Sequence, residues 1–326
     1  MQHATAGTLC RWMSLCFMAG PLVATAQDYP NRPIRIIVPF SAGGGVDALA
    51  RMLSQRLNEA WGQPAVVENR LGAAGTVATR FVARAPADGY TLLMATTSTH
   101  GITPHLYKEQ LYDPVKDFSP VSLMVYAPNV LTVHPSLPVK SVKEFIAFAK
   151  AHPGRLLFSS SGSGSSIHLA GELFKSMARI DIQHVPYKGA SPALVDFVAG
   201  QTHLMFATVA TVLQFFEQGR LRPLGVTTPK RTVVLPKVPT IAESGLPGYE
   251  MNGWIGLLAP AQTPPAVVAR LQTEIATMLG KPESKKRVID LGWEPVAGNP
   301  QLMTEVIVRE LPMYGKVIRD AKMQPE

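Results

Sequence analysis

Apolar positions along the chain switch repeatedly between unbroken runs of four or five residues, which suit strands, and spacings of three and four, which suit helices. The sharpest switch lies in residues 34–53, IRIIVPFSAGGGVDALARML. Ile34, Ile36, Ile37 and Val38 are β-branched and predict a buried parallel strand that Pro39 ends. Leu49, Met52, Leu53, Leu57 and Ala60 then recur at helical spacing, so a helix is expected to start near Gly45. A strand over 65–67, a helix through Val77, Phe81 and Val82, a turn at Asp88-Gly89 and a strand over 90–95 complete a β-α-β-α-β series. That series calls for a parallel sheet with right-handed crossovers.

Residues 121–133 read as extended and apolar, carrying the chain into a second half. Ser141 and Glu144 form a capping box for the next helix. A strand over 156–159 then leads through a Gly/Ser loop into a helix whose core face is Ala170, Leu173, Phe174 and Met177. A helix over 192–198, a strand over 204–207 and a helix over 212–216 follow, and residues 224–227 return the chain to the first half. The tail predicts a strand over 254–258, Thr263-Pro264 as cap and first residue of a helix reaching 279, and helices over 283–291 and 302–321.

Two stretches share one chemical design. In residues 40–45 and again in 158–166, an apolar strand runs into glycines and serines and then directly into a helix. Glycine lets a ligand approach the backbone closely. The first helical turn supplies unpaired N–H groups and the positive end of the dipole, which together stabilise a carboxylate or phosphate without a lysine. In a parallel sheet such loops lie beyond the carboxyl ends of the strands, where Ser41 to Gly45 and Thr96 to Thr99 would both sit.

At 326 residues the chain exceeds the size at which one core keeps growing, so two lobes are expected. Its first 26 residues carry one charge, Arg11, an apolar stretch over 12–23 and the A-x-A site Ala24-Thr25-Ala26, which reads as an export signal cleaved after Ala26. Both cysteines, Cys10 and Cys16, fall within it. The mature chain therefore has no disulfide, thiol nucleophile or Cys-metal site. The residues flanking Cys16 fit a lipoprotein signal poorly. The formal charge of +8 is scattered rather than clustered and no nucleic-acid motif accompanies it, so no nucleic-acid partner is expected, and a small anionic ligand fits such a surface without being selected by the charge alone.

Gly43-x-Gly45-x-x-Ala48 with Glu68 mimics a dinucleotide fingerprint, but Pro39 to Ala42 separate the strand from the first glycine, where that motif puts glycine at the strand end. Ser163, Ser165 and Ser166 near His168 lack the G-x-S-x-G spacing and an orienting carboxylate. His168 is expected to pack or hydrogen-bond within its own helix. The eight histidines show no close metal spacing, and neither a metal nor a cofactor is expected.

YPNRPIRIIVPFSAGGGVDALAR at 29–51, PADGYTLL at 86–93, LYDPVKDFSPVSL at 111–123, HLAGELFKSMA at 168–178, HVPYKGASPAL at 184–194 and WIGLLAP at 254–260 together resemble the Bug-type periplasmic solute receptors of tripartite tricarboxylate transporters. The resemblance covers nearly the whole mature chain. It implies an α/β fold of the type II periplasmic binding protein kind, with two α/β lobes joined by crossover strands in a flytrap. Lobe I would comprise 27–124 and 229–326, and lobe II 125–228. It also implies a periplasmic, monomeric receptor that closes on a small organic acid, catalyses nothing, and passes the acid to the membrane components of the transporter. The rival readings are a ligand-sensing module for a signalling partner and an exported enzyme acting on a carboxylated substrate.

By the same resemblance, Phe40, Ser41, Ala42, Gly43 and Gly44 form the first-lobe loop, and Ser161, Gly162, Ser163, Gly164, Ser165 and Ser166 the second-lobe loop. Thr96, Ser98, Thr99 and Tyr187 stand at the cleft margin. After the strand over 204–206 many family members carry Asp-Asn, whereas this chain has Ala207-Thr208. If Ala207 lines the cleft, a negative charge has been removed, disfavouring amine-bearing ligands.

Overall fold

The computed structural model describes residues 29–107, 109, 111–321 and 323. The export signal, its cleavage point after Ala26 and both cysteines lie outside the described residues. Two mixed sheets organise the chain. The first contains β1 (Ile34–Val38), β2 (Ala65–Asn69), β3 (Thr91–Thr96), β4 (Phe118–Ala127), β10 (Gly253–Pro260) and β11 (Glu294–Pro295), in the order β11-β4-β10-β3-β1-β2. The second contains β5 (Asn129–Val133), β6 (Leu156–Ser160), β7 (Ile182–Pro186), β8 (Leu204–Thr208) and β9 (Arg222–Val226), in the order β7-β6-β8-β5-β9.

Strands β2, β1 and β3 pair in parallel, as the β-α-β-α-β reading requires. The sheet is not wholly parallel, however, because β10 returns from far along the chain and runs antiparallel between β3 and β4. The second sheet repeats the plan, with β7, β6 and β8 parallel and β5 antiparallel between β8 and β9. The extended apolar stretch thus divides at Pro128, β4 belonging to one sheet and β5 to the other.

The apolar run of β1, interrupted at Arg35, has a direct cause. Ile34, Ile36 and Val38 pack into one core with Leu49, Leu53 and Leu57 of α1 (Gly45–Trp61), while Ile37 enters the core on the opposite face with Ala78 and Val82 of α2 (Thr76–Ala83). Successive strand residues point to opposite faces, so a strand covered on both sides is apolar at most positions, and Arg35, the exception, pairs with Glu68 of β2 at 2.6 Å. The second sheet is covered by α3 (Val142–Ala151), α4 (Ser166–Ala178), α5 (Ala190–Val198) and α6 (Val209–Glu217). Its core also takes in Leu235, Ile241, Leu246, Tyr249 and Met251 from the long connection after β9.

The tail adds α7 (Pro265–Gly280), α8 (Pro282–Asp290) and α9 (Pro300–Asp320). Helix α7 starts one residue later than Thr263-Pro264 suggests: Pro264 is the cap, and the Thr263 hydroxyl donates to the Pro260 carbonyl at 2.8 Å. Helix α9 joins the two cores. Met303, Val306 and Ile307 pack under the first sheet and Tyr314, Val317 and Ile318 under the second, with Pro312, which has no N–H to give, between them. A further departure is the stretch after β3, expected as a polar loop, which winds into a helical turn over Ser98–Ile102.

Candidate functional site

Four helix N-termini converge on one cavity of about 520 Å³. Helix α1 contributes Gly44, Gly45, Val46 and Asp47 to its wall, α4 contributes Ser166, α5 Ala190, and α6 its cap Thr208. Phe40, Ser41, Thr96, Thr97, Ser98, Asn129, Trp254 and Trp293 line the rest, with a few small and aliphatic residues. No Lys, Arg or His lies among the described lining residues. Each helix N-terminus carries a partial positive charge from its unpaired N–H groups. The arrangement is suited to an anion.

The first loop is held open from behind by Asp47, at the third position of α1. Its carboxylate accepts the Gly43 N–H at 2.9 Å, Arg51 Nε at 2.8 Å and Nη2 at 3.1 Å, and Asn69 Nδ2 at 3.0 Å. The hydrogen bond from Arg51 is the main cause holding this carboxyl below its ordinary range. Asn69 also donates to the Phe40 carbonyl at 2.9 Å, tying both ends of the loop to the edge of β2. With Asp47 engaged, the Gly45 and Val46 N–H groups of the first turn find no partner among the described residues. Gly43 can take this turn because it adopts a φ of +81°.

The second loop is buttressed by hydroxyls and imidazoles. Ser165 caps α4, its Oγ accepting from His168 N at 3.2 Å and donating to the Gly162 carbonyl at 2.7 Å. The Gly164 N–H donates to His168 Nδ1 at 3.1 Å, while Ser160 Oγ lies 2.6 Å from His184 Nε2 and accepts the Gly162 N–H at 3.1 Å. The two imidazoles stack at 3.7 Å with an interplanar angle of 11°. Burial lowers the His184 pKa to about 4, so the ring is neutral at physiological pH. His168 is thus a structural support of the loop, bonded within its own first turns.

A second cavity of about 570 Å³ adjoins the first, sharing Phe40 and Ser98. It is lined mainly by Ala74, Leu106, Tyr107, Ser163, Gly164, Ser165, His168 and Met323. Of the residues singled out from sequence, Phe40, Ser41, Gly44, Thr96, Ser98, Ser166 and Thr208 meet at the first cavity, and Ser163, Gly164 and Ser165 at the second.

The others line neither. The Gly43 N–H is taken by Asp47, and Ala42 is exposed beside it. Thr99 is wholly buried, its Oγ1 accepting the Thr96 N–H at 3.0 Å. Gly162 uses its carbonyl and N–H to hold the second loop, Ser161 precedes it outside both cavities, and the Tyr187 hydroxyl donates to Asp196 at 2.8 Å.

Ala207 corrects the charge-removal expectation. It is fully buried in the core beneath β8, and strand alternation turns only its neighbour Thr208 to the cavity.

Asn129, Ala190 and Trp293 are lining residues that sequence reasoning missed. Asn129 is 3% exposed and its Oδ1 has no hydrogen-bond partner among the described residues. Ala190 lies in the segment over 184–194 that carries the family resemblance. Nothing local marks Trp293, which arrives from the connection between α8 and β11.

The family model described as "Tripartite tricarboxylate transporter family receptor" matches residues 49–323. A protein encoded in the tcbD–tcbE intergenic region of Pseudomonas sp. strain P51 is 38% identical over 296 residues, 90% of this chain and 88% of that protein. Protein BugT of Bordetella pertussis is 35% identical over 91% of both chains. Among solved structures, R. palustris Rpa4515 with adipate superposes with a TM-score of 0.77 at 40% identity, covering 92% of this chain and all of that one.

Proposed function

Because this chain belongs to the tripartite tricarboxylate transporter receptor family, we propose that it is a Bug-type solute receptor capturing a small carboxylate between its two halves. The fold is that of the type II periplasmic binding proteins. One observation carries the ligand class: four helix N-termini face a single cavity whose described lining residues include no cationic side chain. Backbone N–H groups and hydroxyls recognise an acid group there without the desolvation that a buried lysine would require. The similar R. palustris structure holds adipate, a carboxylate, in agreement with this reading.

Capture without turnover is the reading that the receptor family supports. Nucleophilic or general-base chemistry needs a hydroxyl or thiol beside a free base. Among the described lining residues, the carboxylate of Asp47 is occupied by Arg51, Asn69 and the Gly43 N–H, and in the adjoining cavity His168 Nδ1 accepts the Gly164 N–H. We read the lobes as 27–124 with 229–326 and 125–228, the bound acid favouring the closed arrangement through its greater affinity for it. Water leaving the closed cleft strengthens each hydrogen bond to the acid. The export signal ending at Ala26 would deliver a monomeric receptor to the periplasm, where membrane components of the transporter read the closed form.

Mass spectrometry of small molecules released from freshly purified protein tests the proposal. An organic acid recovered unchanged after re-binding is the expected result. Chemical conversion of that acid during incubation would instead establish an enzyme.

A further inference from the structure

Trp293 stands apart from the other lining residues because neither cradle supplies it. Its indole lies against the first residue of α1: a Cβ placed on Gly45 would come within 2.5 Å of the ring atom Cη2. The ring therefore adjoins the N–H groups that, on the proposed function, take the carboxylate. An acid seated on those N–H groups has the indole within reach of its remaining atoms.

The ring is also firmly placed. The Trp293 N–H donates to the Val288 carbonyl at 3.1 Å, anchoring it to α8. Gly292 has a φ of +74° and sits so close to α6 that a Cβ there would fall 2.5 Å from Ala210 N. Glu294 Oε1 accepts the Val233 N–H at 2.9 Å. Residues 292–294 thus touch the start of α1, the start of α6 and the connection after β9, and they fix the indole as a wall where the halves of the molecule meet. Around it Phe40, Val46, Ala127 and Ile255 give apolar wall beside the hydroxyls, and the carboxylate among the described lining residues, Asp47, is already paired.

We propose that Trp293 is the specificity-determining residue of this receptor, selecting acids whose carboxylate is joined directly to a flat, apolar, aromatic or conjugated body. A planar body packs along an indole with ring–ring attraction added to its area burial, and it loses no rotor freedom on binding. An amine-bearing acid finds no free carboxylate at the wall, and a puckered saturated body of equal size forfeits the ring contact. This inference rests on the carboxylate-receptor reading and adds the chemistry of the ligand's remainder.

Calorimetric titration of the full mature chain with benzoate, cyclohexanecarboxylate and aspartate tests it, because the first two share a carboxylate and carbon count but differ in planarity. Benzoate is expected to bind at least tenfold more tightly than cyclohexanecarboxylate, and aspartate weakest. Trp293→Phe should keep most of that preference, and Trp293→Leu, which keeps apolar volume without a ring, should reduce it to within about twofold, with unchanged melting temperature in both. Equal binding of the two acids by the parent chain, no binding of either, or a preference unaffected by Trp293→Leu would overturn the proposal. Gly44→Val separates the two levels. If it abolishes binding of every acid while Trp293→Leu leaves the preference intact, the cradle stands and only the role of Trp293 falls; if it binds normally, the cradle itself fails.

Discussion

Thr208→Asp places a carboxylate where the site is argued to hold a captured one. Thr208 caps α6 and lines the cavity, with its Oγ1 3.2 Å from Thr211 Oγ1 and no side-chain cap on the helix. Aspartate is at least as good an N-cap as threonine, so the helix and the fold should keep or slightly gain stability. Binding should move the other way. A volume of about 520 Å³ corresponds to a sphere of about 5 Å radius, which puts a captured acid roughly 5–10 Å from the new carboxylate. Two like charges about 8 Å apart at an effective dielectric constant of about 20–40 repel by roughly 1–2 kcal/mol, a loss of about five- to thirtyfold in affinity. Calorimetry with the acid released from the parent protein, paired with a thermal melt, reads both signs at once. Thr208→Asn, similar in shape and uncharged, should bind within about twofold of the parent. Parent-like affinity in Thr208→Asp, or an equal loss in Thr208→Asn, would refute the electrostatic account of the cavity.

Further outcomes follow from the same geometry. Gly44→Val should weaken binding at least tenfold with little change in melting temperature, since Gly44 has a φ of −77° and a Cβ there meets nothing nearer than the Ser41 carbonyl at 3.4 Å. Asp47→Ala should lower stability by about 1–3 kcal/mol in chemical denaturation and weaken binding too, because Arg51, Asn69 and the Gly43 N–H lose their shared acceptor. The carboxyl of Asp47 titrates below its ordinary range, so its contribution is present at neutral pH and disappears as the pH falls through the folded value.

Buried Glu310 behaves oppositely. It accepts Trp254 Nε1 at 2.7 Å, and burial raises its pKa to about 7, so the protonated form suits the fold and stability declines as pH rises from about 4.5 through 7. Glu310→Gln should therefore raise stability at pH 8 by up to about 3 kcal/mol and hardly at all near pH 4 in melts at the two pH values, and an equal gain at both would contradict the assignment.

Much of the site was legible because it is local. A β-branched run followed by glycines and a 3.6-period apolar pattern specifies where a strand ends and a helix begins, and the first turn of that helix exposes its N–H groups wherever the unit is placed. Ser41, Gly44 and Ser166 could be named from this alone. Ala207 and Thr208 show its limit. Alternation says that neighbouring strand residues face opposite ways, but only the pairing of β8 between β5 and β6 decides that Thr208 meets the cavity and Ala207 the core.

What the chain's order of residues settled by itself was the repeated strand–loop–helix unit and its affinity for an anion, since both depend on hydrogen-bonding groups a few residues apart. Tertiary structure decided which units face one another, brought Asn129 and Trp293 to the cavity, inserted β10 antiparallel beside β3, and threaded α9 through both cores. Those outcomes depend on contacts between residues scores or hundreds of positions apart, whose free energy resides in the packing of the complete fold and leaves no periodic trace along the chain.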